Sequence, residues 1–152
     1  MKYIGVFFCF LITALNISGQ VHDEYSVLYY PNGKILSEGY LKNGLPDGYW
    51  KTYYTTGLLK SEGNRKNHVL DSTWVFYNSV GDTLTKINYL NGKKNGYYYE
   101  YNVNRSSPDF IGKWISKELY VNDLKEGKSF YYYENGLLKE ECTYKNNLLD
   151  GI

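Results

Sequence analysis

Aromatic and β-branched residues gather in short runs along this chain: YWKTYY at Tyr49–Tyr54, WVFY at Trp74–Tyr77 and SFYYY at Ser129–Tyr133. Each run has the length and composition of a β-strand. Each is followed by a turn signal and then by a more polar run, such as KILSEGYLK at Lys34–Lys42, which reads as a half-exposed return strand. Asn32-Gly33 and Asn135-Gly136 supply the positive backbone dihedrals that tight hairpins need. Asn43-Gly44 and Asn91-Gly92 mark a second turn. Elsewhere His68, Asp123 and Asn147 follow the asparagine, and Asp and Asn also tolerate the left-handed region. No apolar stripe at helical spacing survives for three turns, and glycine recurs too often for a helix.

These runs recur in register. Near-copies 24 residues long occupy residues 25–48, 49–72, 73–96 and 128–151, and a longer copy fills 97–127. All five keep a tyrosine at the fifth place: Tyr29, Tyr53, Tyr77, Tyr101 and Tyr132. Asparagine holds the nineteenth place at Asn43, Asn67, Asn91, Asn122 and Asn146, and Gly33, Gly57, Gly81 and Gly136 mark the mid-repeat turn. Fixed-period self-similarity means stacked supersecondary units. The chain is therefore expected to be all-β: a meander of β-hairpins with about ten short strands, forming an elongated, twisted antiparallel sheet. Alternation puts Trp50, Thr52 and Tyr54 on one face and Tyr49, Lys51 and Tyr53 on the other. The recurring tyrosine argues for its own face as the packed one, and Trp50 and Trp74 argue for the opposite face.

The amino terminus has a different pattern. Lys2 precedes an almost wholly apolar stretch, Ile4–Leu15, and Ile17-Ser18-Gly19 offers small residues for cleavage. Residues 1–19 read as a signal-peptide helix, leaving 20–152 as the repeat domain. The protein is then expected to be exported, to the periplasm, the cell surface or the medium of a bacterium. Without Lys2 the 17 basic residues fall to 16, matching the 16 acidic ones. A neutral chain gives no electrostatic support for nucleic-acid or membrane binding. Cys142 is the one cysteine left beyond the leader, and it occupies a repeat position filled by Gly39, Gly63 and Ile87. That excludes an intrachain disulfide and favours a small packed residue over a reactive thiol.

Catalytic chemistry finds no footing. His22 and His68 lack cysteine, serine or carboxylate partners at recognisable spacing, and no phosphate-cradling loop, metal-ligand cluster or cofactor motif is present. Asp47, Asp71, Asn95, Glu126 and Asp150 form a ladder that reads as turn capping before it reads as a calcium site. The break in the pattern is Val103–Lys113, VNRSSPDFIGK, where the copy at 97–127 is seven residues longer than the others. Insertions in repeat proteins emerge as loops, often on the binding face. Arg105, Phe110 and Trp114 are therefore candidate binding residues, and Trp50 and Trp74 join them as candidate stacking platforms. An open last strand edge invites pairing with another chain, including edge-to-edge self-association.

The pattern G-Y-W-K-T-Y-Y-x-x-G at Gly48–Gly57, closing with K-N-x-x-L-D at Lys66–Asp71, resembles the variant form of the MORN repeat. G-K-S-F-Y-Y-Y-E-N-G-L-L-K-E at Gly127–Glu140 resembles it still more closely. The resemblance covers residues 25–151. It implies hairpin repeats stacked into a curved sheet that works by binding, chiefly protein to protein, and bacterial chains of this type are often described as antitoxin-like. The expected role is non-enzymatic protein–protein binding, antitoxin- or immunity-like. The alternative is a glycan-binding or structural module of the cell envelope.

Overall fold

The computed structural model describes residues 23–106 and 108–151; the expected signal segment, and His22 with it, lies outside these. Among the described residues one antiparallel sheet contains twelve strands, hydrogen-bonded almost entirely in chain order. They are β1 (Asp23–Tyr29), β2 (Ile35–Lys42), β3 (Leu45–Tyr53), β4 (Leu59–Lys66), β5 (Val69–Tyr77), β6 (Thr83–Leu90) and β7 (Lys93–Tyr101), then β8 (Trp114–Val121), β9 (Leu124–Lys125), β10 (Gly127–Tyr132), β11 (Leu138–Lys145) and β12 (Leu148–Leu149). Ten have at least six residues, as the repeat pattern predicts, and β9 and β12 have two each. β9 pairs with β8 beside β10, so the two short pieces together fill the place of the nine-residue strands β3, β5 and β7. The only helical element described is a 3-10 turn at Pro108–Phe110.

Backbone geometry explains the punctuation of the repeat. Asn43, Asn67, Asn91, Asn122 and Asn146 all adopt φ between 48° and 54°, and the residue after each is also left-handed. Two successive positive-φ residues are what a two-residue hairpin of the strand-compatible hand demands. The closing place of the repeat is left-handed too, at Gly48, Gly96, Gly127, Gly151 and, with a side chain, Ser72. Each recurring tyrosine sits at a register shift in its hairpin: Leu28/Tyr29, Thr52/Tyr53, Phe76/Tyr77, Glu100/Tyr101 and Tyr131/Tyr132. A bulge repeated once per hairpin adds local twist at the same place in every unit.

The packed face is the tryptophan face. Pairing sets Gly39, Trp50, Gly63, Trp74, Ile87, Tyr98 and Glu118 opposite one another across seven strands. Trp50 is 6% exposed and Trp74 2%. With no second layer above them among the described residues, the rings are covered by lying flat on their own sheet. A β-carbon at Gly39 would overlap the Trp50 ring, and one at Gly63 would come within 2.5 Å of Trp74. The Trp74 indole N–H donates to the Asn64 carbonyl at 2.7 Å, and the Arg65 guanidinium covers the ring at 5.4 Å. Further along the sheet the sizes trade: Ile87 faces Tyr98, and Glu118 stands one place from the Lys117–Phe130 pair, beside Ser129. The residue beneath grows as the residue above shrinks.

That trade is testable. Gly63→Ile alone overpacks the Trp74 contact and is expected to cost about 1–3 kcal/mol. Combining it with Trp74→Tyr recreates the Ile87–Tyr98 arrangement. The double variant should be more stable than the sum of the single losses by roughly 0.5–3 kcal/mol in urea unfolding. Strict additivity would contradict the contact.

Candidate functional site: a loop-rimmed aromatic face

The opposite face carries the recurring tyrosines and is built on one cross-strand row. Glu38, Lys51, Glu62, Val75, Lys86, Tyr99, Lys117, Phe130 and Glu141 stand opposite one another from β2 to β11. In the amino-terminal half carboxylates receive tyrosine hydroxyls. Tyr53 donates to Glu38, and both Tyr49 and Tyr77 donate to Glu62, at 2.8 and 2.7 Å. The Tyr53 hydrogen bond holds the Glu38 carboxyl below its usual range, burial working the other way. Burial and the Glu62 hydrogen bond push Tyr49 up to about 12, and the same causes raise Tyr77. Tyr30 and Tyr54 bond the next repeat's tyrosine carbonyl, Tyr53 and Tyr77, each at 2.7 Å. The recurring tyrosine thus joins one repeat to the next.

From β6 onward the same row changes character. Lys86 lies between Val75 and Tyr99, and Lys117 between Tyr99 and Phe130. The Lys117 ammonium sits over the rings of Tyr97 at 4.6 Å, Trp114 at 5.8 Å and Tyr99 at 6.0 Å. Tyr97 and Tyr99 are 5.9 Å apart, and Tyr99 and Trp114 5.0 Å. A strip of aromatic rings with one ammonium across it therefore lies open on this face.

The long insertion rises beside that strip, and it is tied down at both ends and in the middle. Asn102 and Lys113 close it, Asn102 N–H donating to the Lys113 carbonyl at 2.7 Å and Gly112 N–H to that of Asn102 at 2.9 Å. Asn102, buried, accepts from Asn104 N–H, and Asn104 in turn from Ser106 N–H. The Asn104 amide donates to the Glu134 carboxylate at 3.0 Å, and Arg105 reaches Asp82 at 2.6 Å. The loop thereby bridges the mid-repeat turns on either side of it. A recess of about 360 Å³ remains in the corner between loop and sheet, lined by Val75, Asp82, Thr83, Lys86, Tyr101, Ile111 and Gly112.

The residues proposed from sequence are distributed unevenly. Arg105, Phe110 and Trp114 belong to this loop-rimmed region. Arg105 is engaged with Asp82, Phe110 lies under Lys113 beside Tyr133, and Trp114 is 42% exposed against Tyr99. Trp50 and Trp74 are buried on the other face, which corrects the expectation of exposed stacking platforms there. Their rings are spent on Gly39 and Gly63. Lys86, Tyr97, Tyr99, Ile111 and Lys117 were not singled out in sequence, although the succession Glu38, Glu62, Lys86, Lys117, Glu141 at one repeat position carried the signal.

A second polar cluster lies on the tryptophan face. Buried Glu118 accepts from Lys125 at 2.9 Å and from the Tyr120 hydroxyl at 2.7 Å. Burial opposes the Lys125 charge, but Glu118 outweighs it and the ammonium pKa is raised. Cys142 is buried, and burial together with Glu140, 3.2 Å away, pushes its thiol up, so it stays protonated and inert near neutrality. His68 is left-handed in its turn. Asp47 and Glu126 accept the backbone N–H of Asn67 and Asn146, each at 2.9 Å, and so cap the following turn. Among the described residues no group of three or more His, Cys, Asp or Glu is placed to hold a metal ion.

The tyrosine–carboxylate bonds set a pH dependence. Tyrosines whose folded pKa is raised above the ordinary 10.0 contribute stability that is complete below that value. It is lost as pH rises, through about 12 for Tyr49 and higher for Tyr53 and Tyr77. Tyrosinate absorbance should lag in the folded chain relative to the urea-unfolded one. Glu62→Gln should bring two of the late-titrating tyrosines part of the way back, since burial still acts on them.

No curated protein matches the chain significantly. The family model described as MORN repeat variant matches residues 26–43, 46–67 and 125–146. These segments fall on β1–β2, β3–β4 and the run from β9 to β11, each a hairpin of the sheet. The same hairpin geometry continues between them, so the chain is an all-β repeat protein, three segments of which are similar to the MORN repeat variant.

Proposed function

We propose that this is an exported, non-enzymatic protein that binds another protein through the carboxy-terminal half of its tyrosine face and the Val103–Lys113 loop. MORN repeats are generally binding modules and not typically enzymatic. The observation that carries the reading is the open strip Tyr97–Tyr99–Trp114 beside a loop anchored to Asp82 and Glu134. Aromatic rings fixed on a rigid sheet give contact area at little conformational cost, which suits a recognition surface. The apolar leader at residues 1–19 supports export, and partnership with a toxin met outside the cytoplasm would make the protein immunity-like.

A glycan-binding reading draws on one ring only, since Trp114 is the exposed tryptophan among the three. Cell-wall sugars that quench Trp114 emission, and lose that effect on Trp114→Phe, would favour it.

The test is a pull-down with residues 20–152 as bait against envelope and secreted fractions of the host. A second bait has Val103–Lys113 replaced by an Asn-Gly turn, its fold checked by the emission of buried Trp50 and Trp74. One stoichiometric protein held by the first bait and lost by the second is the expected result. Capture by neither bait would remove the protein-partner reading.

A further inference from the structure

Lys86 and Lys117 stand apart from the other charges of their row. Lys51, three strands from Lys86, is flanked by Glu38 and Glu62. Across from Lys86 and Lys117 there are only Val75, Tyr99 and Phe130, and neither lysine takes part in the ion pairs found among the described residues. Like-signed charges lie on adjacent return strands here, separated by a tyrosine, where opposite charges alternate in the preceding repeats.

The recess of about 360 Å³ opens directly onto Lys86. Its walls are Val75, Tyr101 and Ile111. Its one acid, Asp82, is already occupied, by the Arg105 guanidinium at 2.6 Å and by the Asn78 amide at 3.0 Å. The recess therefore offers apolar walls and a single unmatched cation. Besides Asp82, its polar side-chain groups are the Thr83 and Tyr101 hydroxyls and the Lys86 ammonium; an aliphatic or aromatic side chain needs none of them, and a carboxylate beside it needs only the ammonium. Beside the recess, the Lys117 ammonium over Tyr97, Tyr99 and Trp114 presents a second cation across the aromatic strip.

We propose that this recess and strip together form a docking site for an acidic peptide segment of a protein partner. An apolar side chain enters beneath Ile111, and flanking carboxylates meet Lys86 and Lys117. The proposal rests on the protein-partner reading above and gives that partner a chemistry. Unpaired cations on a surface steer an anionic partner and fix its register, so binding should weaken as salt is added.

Fluorescence anisotropy with short labelled peptides tests it on the purified chain. One peptide is glutamate-rich with a central leucine, one has serine in place of that leucine, and one is lysine-rich with the leucine retained. The first should bind, the other two more weakly by roughly tenfold or more. The double variant Lys86→Glu, Lys117→Glu should lose the first peptide by a similar factor. Lys42→Glu, Lys66→Glu, which makes the same net-charge change at exposed sites elsewhere, should keep it. Ile111→Ser should weaken the leucine peptide and leave the serine peptide unchanged. Absence of binding by the acidic leucine peptide would overturn the proposal, as would equal binding of the lysine-rich one or equal loss in the control variant. Tighter binding of polygalacturonate, lost with the same two lysines, would overturn it in favour of an acidic glycan. A pull-down partner whose capture survives Lys86→Glu, Lys117→Glu would overturn this site and leave the protein-partner reading intact.

Discussion

Among the described residues the single-layer sheet has nothing to pack against except itself, and the Trp-on-Gly contact is how it meets that constraint. A tryptophan side chain buries roughly 150–250 Å². At about 25 cal/mol per Å² that is an upper value of about 4–6 kcal/mol per ring. An exposed ion pair such as Arg105–Asp82 contributes about 1 kcal/mol or less. Two rings laid across Gly39 and Gly63 therefore outweigh any surface charge in holding the amino-terminal repeats together. Each ring reaches from the first strand of one repeat to the return strand of the one before. Intra-repeat turns and inter-repeat burial consequently reinforce each other, as nearest-neighbour coupling in a repeat protein requires.

Devoting one face to burial leaves the other to polar and recognition work. There the recurring tyrosines hold successive repeats through Glu38 and Glu62, and those bonds need carboxylates at that repeat position. Where the position changes to Lys86 and Lys117, Tyr101 and Tyr132 have no carboxylate there to bind, and the neighbouring rings of Tyr97 and Tyr99 lie open under the Lys117 ammonium. One substitution in the repeat turns a structural joint into an available surface, and the long loop rises beside it, anchored to the neighbouring turns.

Much of this was legible in the chain. The hairpins, their order and their turns follow from asparagine and glycine at fixed spacing, because left-handed backbone is costly for other residues and the repeat requires it in every copy. Ser72 shows that the requirement belongs to the backbone, since it too is left-handed without being glycine. The buried face was not legible, because aromatic residues fall on both sides of every first strand and size alone does not say which side is dry. The decisive residues were Gly39 and Gly63, small positions inside strands that only make sense with a ring lying on them. The loop was visible as a break in period. Its anchors were not, since Asp82 and Glu134 lie 23 and 30 residues away from Arg105 and Asn104 and no local rule pairs them.

The ring-on-glycine contact can be observed without perturbing it. In proton NMR, the Hα of Gly39 and of Gly63 that points at the indole should be shifted strongly upfield by the Trp50 and Trp74 ring currents. Each should also show a nuclear Overhauser effect to ring protons across the strand pair. Ordinary glycine shifts at both positions, with tryptophan emission freely quenched by acrylamide, would contradict a sheet packed on its own glycines.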